Sequence, residues 1–299
     1  VRGPPRPTRV QPLFPCTTVG RGAADRRSAS RGVDRVSGLE TGRRVRAMWS
    51  IGFWIAVGVA SYVLGVQSAL GQQAEASVLD AARFTTDPPA PLNLVSIQTV
   101  GIALLVVGLL AWAVHGIRRA LAMLLISVAA IVASQLLKLQ LLPRPELFEL
   151  DAPNTFPSGH MTVFAVLVAA VIWAVPTGMR AVVAIAGAAL LSAVGWQLLA
   201  FGWHRPSDVL GAIALGVVAF ATATLIRPAT TRSTPLLYRT IRAGLGMLGW
   251  ILVAGSLALA AFAATRADQD LLLDAGQFGV IGASVLASRS LLVLSTGPR

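Results

Sequence analysis

Two histidines have neighbours that suit them to chemistry, in a chain otherwise dominated by apolar residues. His160 ends the tetrapeptide 157–160, Pro-Ser-Gly-His, and His204 precedes Asp208 by four residues. A carboxylate can orient an imidazole and increase its nucleophilicity, and a second histidine can supply a proton to a leaving group. The pattern therefore favours His204 as a nucleophile, Asp208 as its orienting group and His160 as an acid.

Residues that can hold a phosphate group occur close to the histidines in the sequence. Lys138 lies near the end of one apolar segment and Arg144 follows it, while Ser158 and Gly159 open the next apolar segment. Several cations and backbone N–H donors are needed to offset the charge on phosphate oxygens, and helix N-termini provide such donors. Two simpler interpretations stay open, Lys138 as a snorkelling residue and Asp208 as a helix N-cap.

The composition indicates a membrane protein. Hydrophobic residues make up 55% of the 299 residues, charged residues only 13%, and the mean hydropathy is +0.70. Soluble domains carry about 25% charged residues. The net charge of +12 does not indicate nucleic-acid binding, because eleven of the 25 basic residues lie between Val1 and Arg46. With Cys16 as the single cysteine, we expect no intramolecular disulfide, no cysteine-based metal site and no cofactor.

The basic N-terminal tail, residues 1–47, has no apolar periodicity and is predicted to be disordered. The first methionine, Met48, stands directly before the first apolar span. One hypothesis is therefore that the natural protein starts at Met48. The alternative is a cytoplasmic tail that is attracted to anionic lipid.

Eight apolar segments approach the length of about 20 residues that crosses a bilayer. They are Trp49–Gly71, Leu94–Ala113, Ala120–Leu142, Met161–Val175, Ala181–Phe201, Val209–Ile226, Gly244–Ala264 and Phe278–Leu294. The sequence thus predicts an all-α, polytopic bundle of about eight spans. Residues 48–226 form a six-span core, and residues 227–299 add a cytoplasmic loop and two more spans. Arg289, inside the last segment, is expected to snorkel toward the headgroups.

Loop charges predict the orientation of these spans. With a cytoplasmic N-terminus, 19 of the 25 basic residues fall on the inner side, as the positive-inside rule requires. In this orientation the segments 138–145, 157–160 and 204–208 all reach the outer face. We therefore expect a site on the extracytoplasmic side of the cell membrane.

These three segments resemble the signatures of the type 2 phosphatidic acid phosphatase superfamily, which includes lipid phosphate phosphatases and is related to vanadium haloperoxidases. The family's first signature is Lys, six residues, Arg-Pro; its second is Pro-Ser-Gly-His; its third is Ser-Arg, five residues, His, three residues, Asp. The second is complete at 157–160, and His204 and Asp208 match the end of the third. The motifs span residues 138 to 208.

The resemblance implies a metal-independent hydrolase that removes phosphate from a membrane lipid, either a phosphatidic acid-like monoester or a polyprenyl diphosphate. His204 would form a phosphohistidine, oriented by Asp208, and His160 would protonate the leaving group. The phosphoryl oxygens would be held by Lys138, Arg144, Ser158 and Gly159.

Two positions depart from the family pattern. Five residues, not six, separate Lys138 from Arg144, and the serine and arginine of the third signature fall at Gln197 and Leu198. Arg205 is a candidate replacement for the missing phosphate-binding arginine. Two alternative functions therefore stay open: a lipid-linked phosphotransferase, and a non-catalytic binder or transporter of lipid phosphates.

Overall fold

The computed structural model describes residues 3, 21–148, 150, 152–226 and 236–296, with backbone alone over 21–40. The chain divides into two compact units, Val1–Thr41 and Gly42–Arg299. All contacts given below lie within the second unit. Over the described residues helices are the only regular secondary structure, joined by turns and loops, and there is no strand.

Nine α-helices occur among the described residues: α1 (Arg21–Ser61), α2 (Ala69–Ala81), α3 (Ile97–His115), α4 (Ile117–Leu136), α5 (Gly159–Ala174), α6 (Arg180–Ala200), α7 (Pro206–Ile226), α8 (Leu236–Arg266) and α9 (Gln269–Ser295). A π-helical turn extends α1 over Tyr62–Val66 and another extends α4 over Leu137–Leu141, and Leu92–Leu94 form a 3₁₀ turn. All of the α-helices except α2 and α5 are long and apolar enough to cross a membrane, which gives seven candidate spans. The prediction of an all-helical chain with many apolar helices is confirmed.

The N-terminal region differs from the predicted disorder where the structure describes it. Helix α1 begins at Arg21, so residues 21–47 are helical, while residues 4–20 lie outside the described residues. The sequence contains no proline between Pro15 and Pro88. Alanine and arginine, both good helix formers, recur through residues 21–47, which is compatible with a helix despite the missing apolar face.

Helix α2 is an element that hydropathy did not separate from the first span. The candidate span ends at Val66, and a new helix begins after Ser68, whose side chain accepts a hydrogen bond from the Gly71 amide at 3.0 Å. This N-cap starts a separate helix without a charge or a proline to mark it. The predicted span Trp49–Gly71 therefore contains a real boundary.

Helix α5 forms the centre of the second unit. Twelve of its 16 residues are buried, and it packs against α3, α4, α6 and α7. Small residues allow this close packing: a Cβ added at Gly216 of α7 would lie 2.8 Å from Ala165 Cβ. Close contacts between small residues are typical of packed membrane helices. Ser158, which caps α5, is fully buried, so the N-terminus of this helix lies within the bundle.

Helices α8 and α9 pack as an antiparallel pair, and α9 also covers α6 and α7. Asp268 caps α9 by accepting a hydrogen bond from the Leu271 amide at 3.0 Å. A Cβ added at Gly195 of α6 would lie 2.3 Å from Val280 Cγ1, so the two helices are in close contact. The two C-terminal spans that the sequence set apart from the core thus belong to the same compact unit.

Candidate active site

His204 and Asp208 form a buried pair at the start of α7. The His204 Nδ1 atom lies 3.2 Å from Asp208 Oδ2, and the two side chains are 7% and 0% exposed. When a neutral imidazole donates its Nδ1 proton to a carboxylate, the Nε2 atom carries the free lone pair. This pairing leaves Nε2 of His204 as the atom able to attack an electrophile.

The turn that precedes α7 is fixed by the backbone of α6. The carbonyl of Leu198 accepts hydrogen bonds from the amides of Trp203 and His204 at 3.0 and 3.1 Å. Gly202 takes a φ of +66°, a conformation that favours glycine. Leu198 is fully buried, and its carbonyl holds the turn that carries His204.

Asp208 also connects the segment that carries the Pro-Ser-Gly-His motif to α7. Its Oδ2 atom accepts hydrogen bonds from Thr155 Oγ1 at 2.6 Å and from the Arg205 amide at 3.1 Å. The Ser158 amide donates to the Asp208 carbonyl at 3.0 Å. The carboxylate therefore pairs with His204 from within the first turn of α7 and also accepts from the Arg205 amide just before the helix. Asp208 does not occupy the N-cap position, which precedes Pro206.

His160 lies opposite His204, with 6.2 Å between the two ring centroids. It occupies the first turn of α5, and its ring contacts the Trp203 ring in a T-shaped arrangement at a centroid distance of 5.5 Å. The Trp203 indole is held in place by a hydrogen bond from Nε1 to the Thr85 carbonyl at 2.7 Å. Two imidazoles at this spacing can face one tetrahedral group from two sides.

A cavity of about 620 Å³ connects the two histidines to the apolar faces of α3 and α4. Lys138, Gly159, His160 and His204 line one part of it. The rest is lined almost entirely by apolar residues of α3, α4 and α5, with Ser96 and Gln135 as the polar exceptions. The cavity thus joins a polar, cationic end to a long apolar part.

The other predicted phosphate ligands are not among the residues that line this cavity. Ser158 is fully buried and caps α5 by accepting a hydrogen bond from the Met161 amide at 3.3 Å. Arg205 is buried, and its Nη1 atom donates to Thr155 Oγ1 at 3.2 Å. Arg144 is half-buried in the loop after the α4 extension. Ser158 and Arg205 therefore stabilise the segments next to His160 and His204 instead of lining the cavity.

Gln72 of α2 fixes the loop that carries Arg144. This fully buried amide donates from Nε2 to the carbonyls of Val66 and Pro145 at 2.9 and 2.7 Å. Its Oε1 atom accepts from the amides of Leu147 and Phe148 at 3.3 and 3.1 Å. All four hydrogen-bonding positions of the amide are used, which makes Gln72 a specific connection between α2 and this loop.

Glu75, one turn after Gln72, contacts the first turn of α7. Its Oε1 atom accepts a hydrogen bond from the Ser207 amide at 3.0 Å, and the side chain is only 6% exposed. Burial, together with the charge of the nearby Asp208, raises the pKa of Glu75 to about 7. Helix α2 therefore places a protonatable carboxyl beside the helix turn that carries Asp208.

Glu75 predicts a specific pH dependence of stability. A buried carboxyl whose pKa is raised from 4.5 to about 7 binds a proton more tightly in the folded than in the unfolded state. Its contribution to stability is therefore lost as the pH rises from about 4.5 to 7. We expect Glu75→Gln, which keeps the acceptor for Ser207, to remove this loss, and the variant to be more stable above pH 7 by up to about 3 kcal/mol.

Thermal unfolding of the two purified proteins across this pH range measures the difference. Glu146→Gln, at an exposed carboxyl of the 143–148 loop, is the control and should not change the slope. Wild-type and Glu75→Gln curves that run parallel from pH 4.5 to 7 would contradict the assignment of this pKa to Glu75.

Sequence reasoning did not identify Gln72, Glu75 or Thr155 as parts of this site. Glu75 lies four residues beyond the predicted first span, and Thr155 lies two residues before the Pro-Ser-Gly-His motif. Their roles depend on tertiary contacts between α2, the 152–158 segment and α7. The one available signal was an acid close to the end of an apolar span, where ionisable groups are costly.

No family model, no curated protein and no solved structure matches this chain. Among the described residues, no group of three or more His, Cys, Asp or Glu side chains is placed to hold a metal ion.

Proposed function

We propose that this protein hydrolyses a phosphate ester or diphosphate on a membrane lipid through a phosphohistidine at His204. The observation that carries the proposal is the placement of two imidazoles 6.2 Å apart, one of them paired with a buried carboxylate, at the polar end of an apolar cavity. Transfer of a phosphoryl group needs a nucleophile and a leaving-group acid on opposite sides of phosphorus.

In the proposed first step, Nε2 of His204 attacks phosphorus and the bond to the leaving oxygen breaks. His160 gives its proton to that oxygen, so the leaving group departs as an alcohol or a phosphate. Asp208 accepts the Nδ1 proton in a hydrogen bond and stabilises the positive charge that develops on the ring. Lys138 lines the same end of the cavity, where its ammonium group offsets charge on the phosphoryl oxygens.

In the proposed second step, water attacks the phosphohistidine. His160, which has lost its proton, takes one from the water molecule, and the bond between phosphorus and Nε2 of His204 breaks. Inorganic phosphate leaves and both imidazoles return to their starting states. An alcohol in place of water would give the phosphotransferase reaction, so an added acceptor alcohol distinguishes the two activities by the product formed.

The apolar part of the cavity supports a lipid as the substrate. Residues such as Val100 and Leu104 of α3 and Val128 of α4 line it. Neighbouring side chains of the same helices are strongly exposed, for example Ile102 at 61% and Leu125 at 70%, as expected for surfaces that face acyl chains. An acyl or polyprenyl chain can therefore lie between α3, α4 and α5 while its phosphate reaches the histidines.

Gly101 offers a direct test of this substrate class. It lines the cavity and is exposed, and a Cβ added there would have no atom within 4 Å, so a larger side chain begins in open space. We expect Gly101→Leu to raise the KM for a long-chain lipid phosphate by about tenfold. Hydrolysis of a small, soluble aryl phosphate should change little, because it does not need the apolar part.

Gly255→Leu is the matched control, because Gly255 of α8 also has nothing within 4 Å and does not line the cavity. The assay measures phosphate release by purified protein from a panel of lipid phosphates and diphosphates in the presence of a chelator. Activity that is lost with the chelator and restored by magnesium would contradict the proposed metal-independent mechanism. Equal effects of Gly101→Leu on lipid and aryl substrates would contradict the proposed lipid site.

The buried Leu198 favours a second candidate, a non-catalytic lipid-phosphate binder. This residue occupies the place of the phosphate-binding arginine in the related family, and it is completely inaccessible. Without that arginine, one source of charge stabilisation is absent. A protein that binds lipid phosphates but releases no phosphate from any member of the panel would favour this candidate over the phosphatase.

We further propose that the bundle has eight spans, with α5 as the short fourth span, and that the site faces the outside of the cell membrane. The excess of arginine at the other ends of the helices supports this orientation. In a variant without Cys16, Glu146→Cys should react with an impermeant thiol reagent on intact cells, whereas Arg239→Cys should not. The reverse pattern would contradict the orientation.

A further inference from the structure

A second cavity, of about 360 Å³, lies between α1, α8 and α9. Three arginines from three different helices line it: Arg46 of α1, Arg242 of α8 and Arg289 of α9. No carboxylate is present among the described residues that form its walls. Three guanidinium groups around one space repel each other, and this arrangement is favourable only when an anion or water offsets their charge.

Several donors in this cavity lack protein partners. Arg46 Nη2, Ser50 Oγ and Arg289 Nε are buried and have no hydrogen-bond partner within the described parts of the chain. All three residues line the cavity. Since a buried donor without an acceptor is costly, three of them in one place indicate that a ligand with several acceptor atoms completes the site.

The walls of the cavity hold Arg289 in a defined position. A Cβ added at Gly246 would lie 2.8 Å from Arg289 Nε, so the arginine side chain lies directly against the backbone of α8. The indole of Trp54, which is fully buried, donates from Nε1 to Ser290 Oγ at 3.1 Å. Trp49 and Trp250 complete an aromatic rim, a combination that is typical of the level of lipid headgroups.

This cavity is separate from the histidine site. A Cβ added at Gly65 would lie 2.6 Å from Ser207 Cβ, so the end of the first span lies beside the start of α7. Arg46 is 19 residues earlier in the same span, which corresponds to about 28 Å along a helix. The three arginines therefore occupy the opposite end of the bundle from His204.

We propose that Arg46, Arg242 and Arg289 form a second anion-binding site that takes a phosphate group, with an anionic phospholipid headgroup as the ligand in the membrane. The guanidinium fork matches phosphate oxygens in pairs of hydrogen bonds. The tryptophan rim packs against the glycerol backbone and the upper acyl chains. This role explains why Arg289 lies inside the last span beside two other arginines. An arginine that only extended toward the headgroups would not need basic neighbours.

Binding of phosphatidylglycerol and phosphatidylcholine with identical acyl chains, measured on the purified full chain by native mass spectrometry, tests the site. Phosphatidylglycerol carries no phosphate monoester and is not a substrate of the proposed reaction, so the test is independent of catalysis. We expect phosphatidylglycerol to bind at least about tenfold more tightly than phosphatidylcholine, and Arg242→Gln combined with Arg289→Gln to remove that preference.

Arg239→Gln is the matched control, because Arg239 is exposed one turn before Arg242 and does not line the cavity. Arg46→Gln, on a different helix, serves as a second variant in case the double variant does not fold. A parallel titration with inorganic phosphate distinguishes a site for free phosphate from one that requires the lipid. If the variants lose binding of either phosphatidylglycerol or inorganic phosphate, the result supports the site. Unchanged binding of both ligands in the double variant and in Arg46→Gln would overturn the proposal.

Discussion

Replacement of His204 by alanine is expected to lower phosphate release to the background rate, a loss of about 10⁴-fold or more. Among the described residues, His204 is the only histidine whose Nδ1 atom pairs with a carboxylate. The substitution removes its imidazole. Without Nε2 of His204, no covalent intermediate can form. Steady-state hydrolysis of a lipid phosphate by the purified variant measures the effect.

His115→Ala is the matched control for this substitution, because His115 is the remaining histidine of the chain and ends α3. Its activity should stay within about twofold of the wild type, since surface changes away from a site have small effects. A His204→Ala protein that keeps substantial activity while His115→Ala loses it would contradict the role of His204.

Asp208→Asn is expected to fall between the wild type and His204→Ala, with a loss of about 10²- to 10⁴-fold. The Oδ2 atom of Asp208 accepts hydrogen bonds from the Thr155 hydroxyl and the Arg205 amide as well as facing His204. Asparagine keeps one oxygen for these donors but removes the negative charge that stabilises an imidazolium. A normal fold with reduced kcat is therefore the expected outcome, measured by kcat and by thermal unfolding.

His160→Ala is expected to lower kcat by about 10²- to 10⁴-fold on a lipid monoester, whose alcohol leaves only with a proton. An aryl phosphate has a better leaving group and needs less protonation. The loss on that substrate should therefore be smaller than on the lipid, whereas His204→Ala should abolish both activities. Parallel kcat measurements on the two substrates separate the roles of the histidines.

Identical responses of the two histidine variants to leaving-group quality would contradict these separate roles. Trp203→Phe provides a control for local packing, because Trp203 contacts the His160 ring but supplies no proton. This variant should change the aryl and lipid activities by the same factor.

Hydropathy located most helices of this protein because an uncharged apolar run has few other structural solutions in a bilayer. The predicted segment Leu94–Ala113 corresponds to α3, and Ala181–Phe201 corresponds closely to α6. The last two helices extend further than the sequence indicated, with α9 beginning at Gln269 rather than near Phe278. Charged residues lower a hydropathy average but do not end a helix, so such boundaries depend on caps.

The pairing of His204 with Asp208 was predictable because the two residues are four positions apart at the start of a helix. Such local spacing places two side chains on one face of a turn. The contributions of Gln72 and Glu75 depend instead on contacts across more than 70 residues of sequence. No local pattern encodes such pairings, and the placement of Arg144, Ser158 and Arg205 away from the cavity wall depends on the same tertiary packing.

The cavity lined by three arginines could not be predicted from the sequence for the same reason. Arg46, Arg242 and Arg289 read separately as a tail residue, a loop residue and a snorkelling residue of the last span. Their convergence follows from the antiparallel packing of α8 and α9 together with the position of α1. Charge counts along the sequence predict a side of the membrane, but they do not predict which charges share one space.

Rapid quenching of the purified protein with a lipid phosphate, followed by mass analysis of its peptides, tests the central claim most directly. The account predicts a phosphoryl group on the peptide that contains His204, formed within one turnover, removed on further incubation and absent from the His204→Ala protein. In His160→Ala the modified peptide should form slowly with the lipid but readily with an aryl phosphate. Turnover with no phosphorylated peptide, or with a phosphoryl group on His160 instead, would contradict the account.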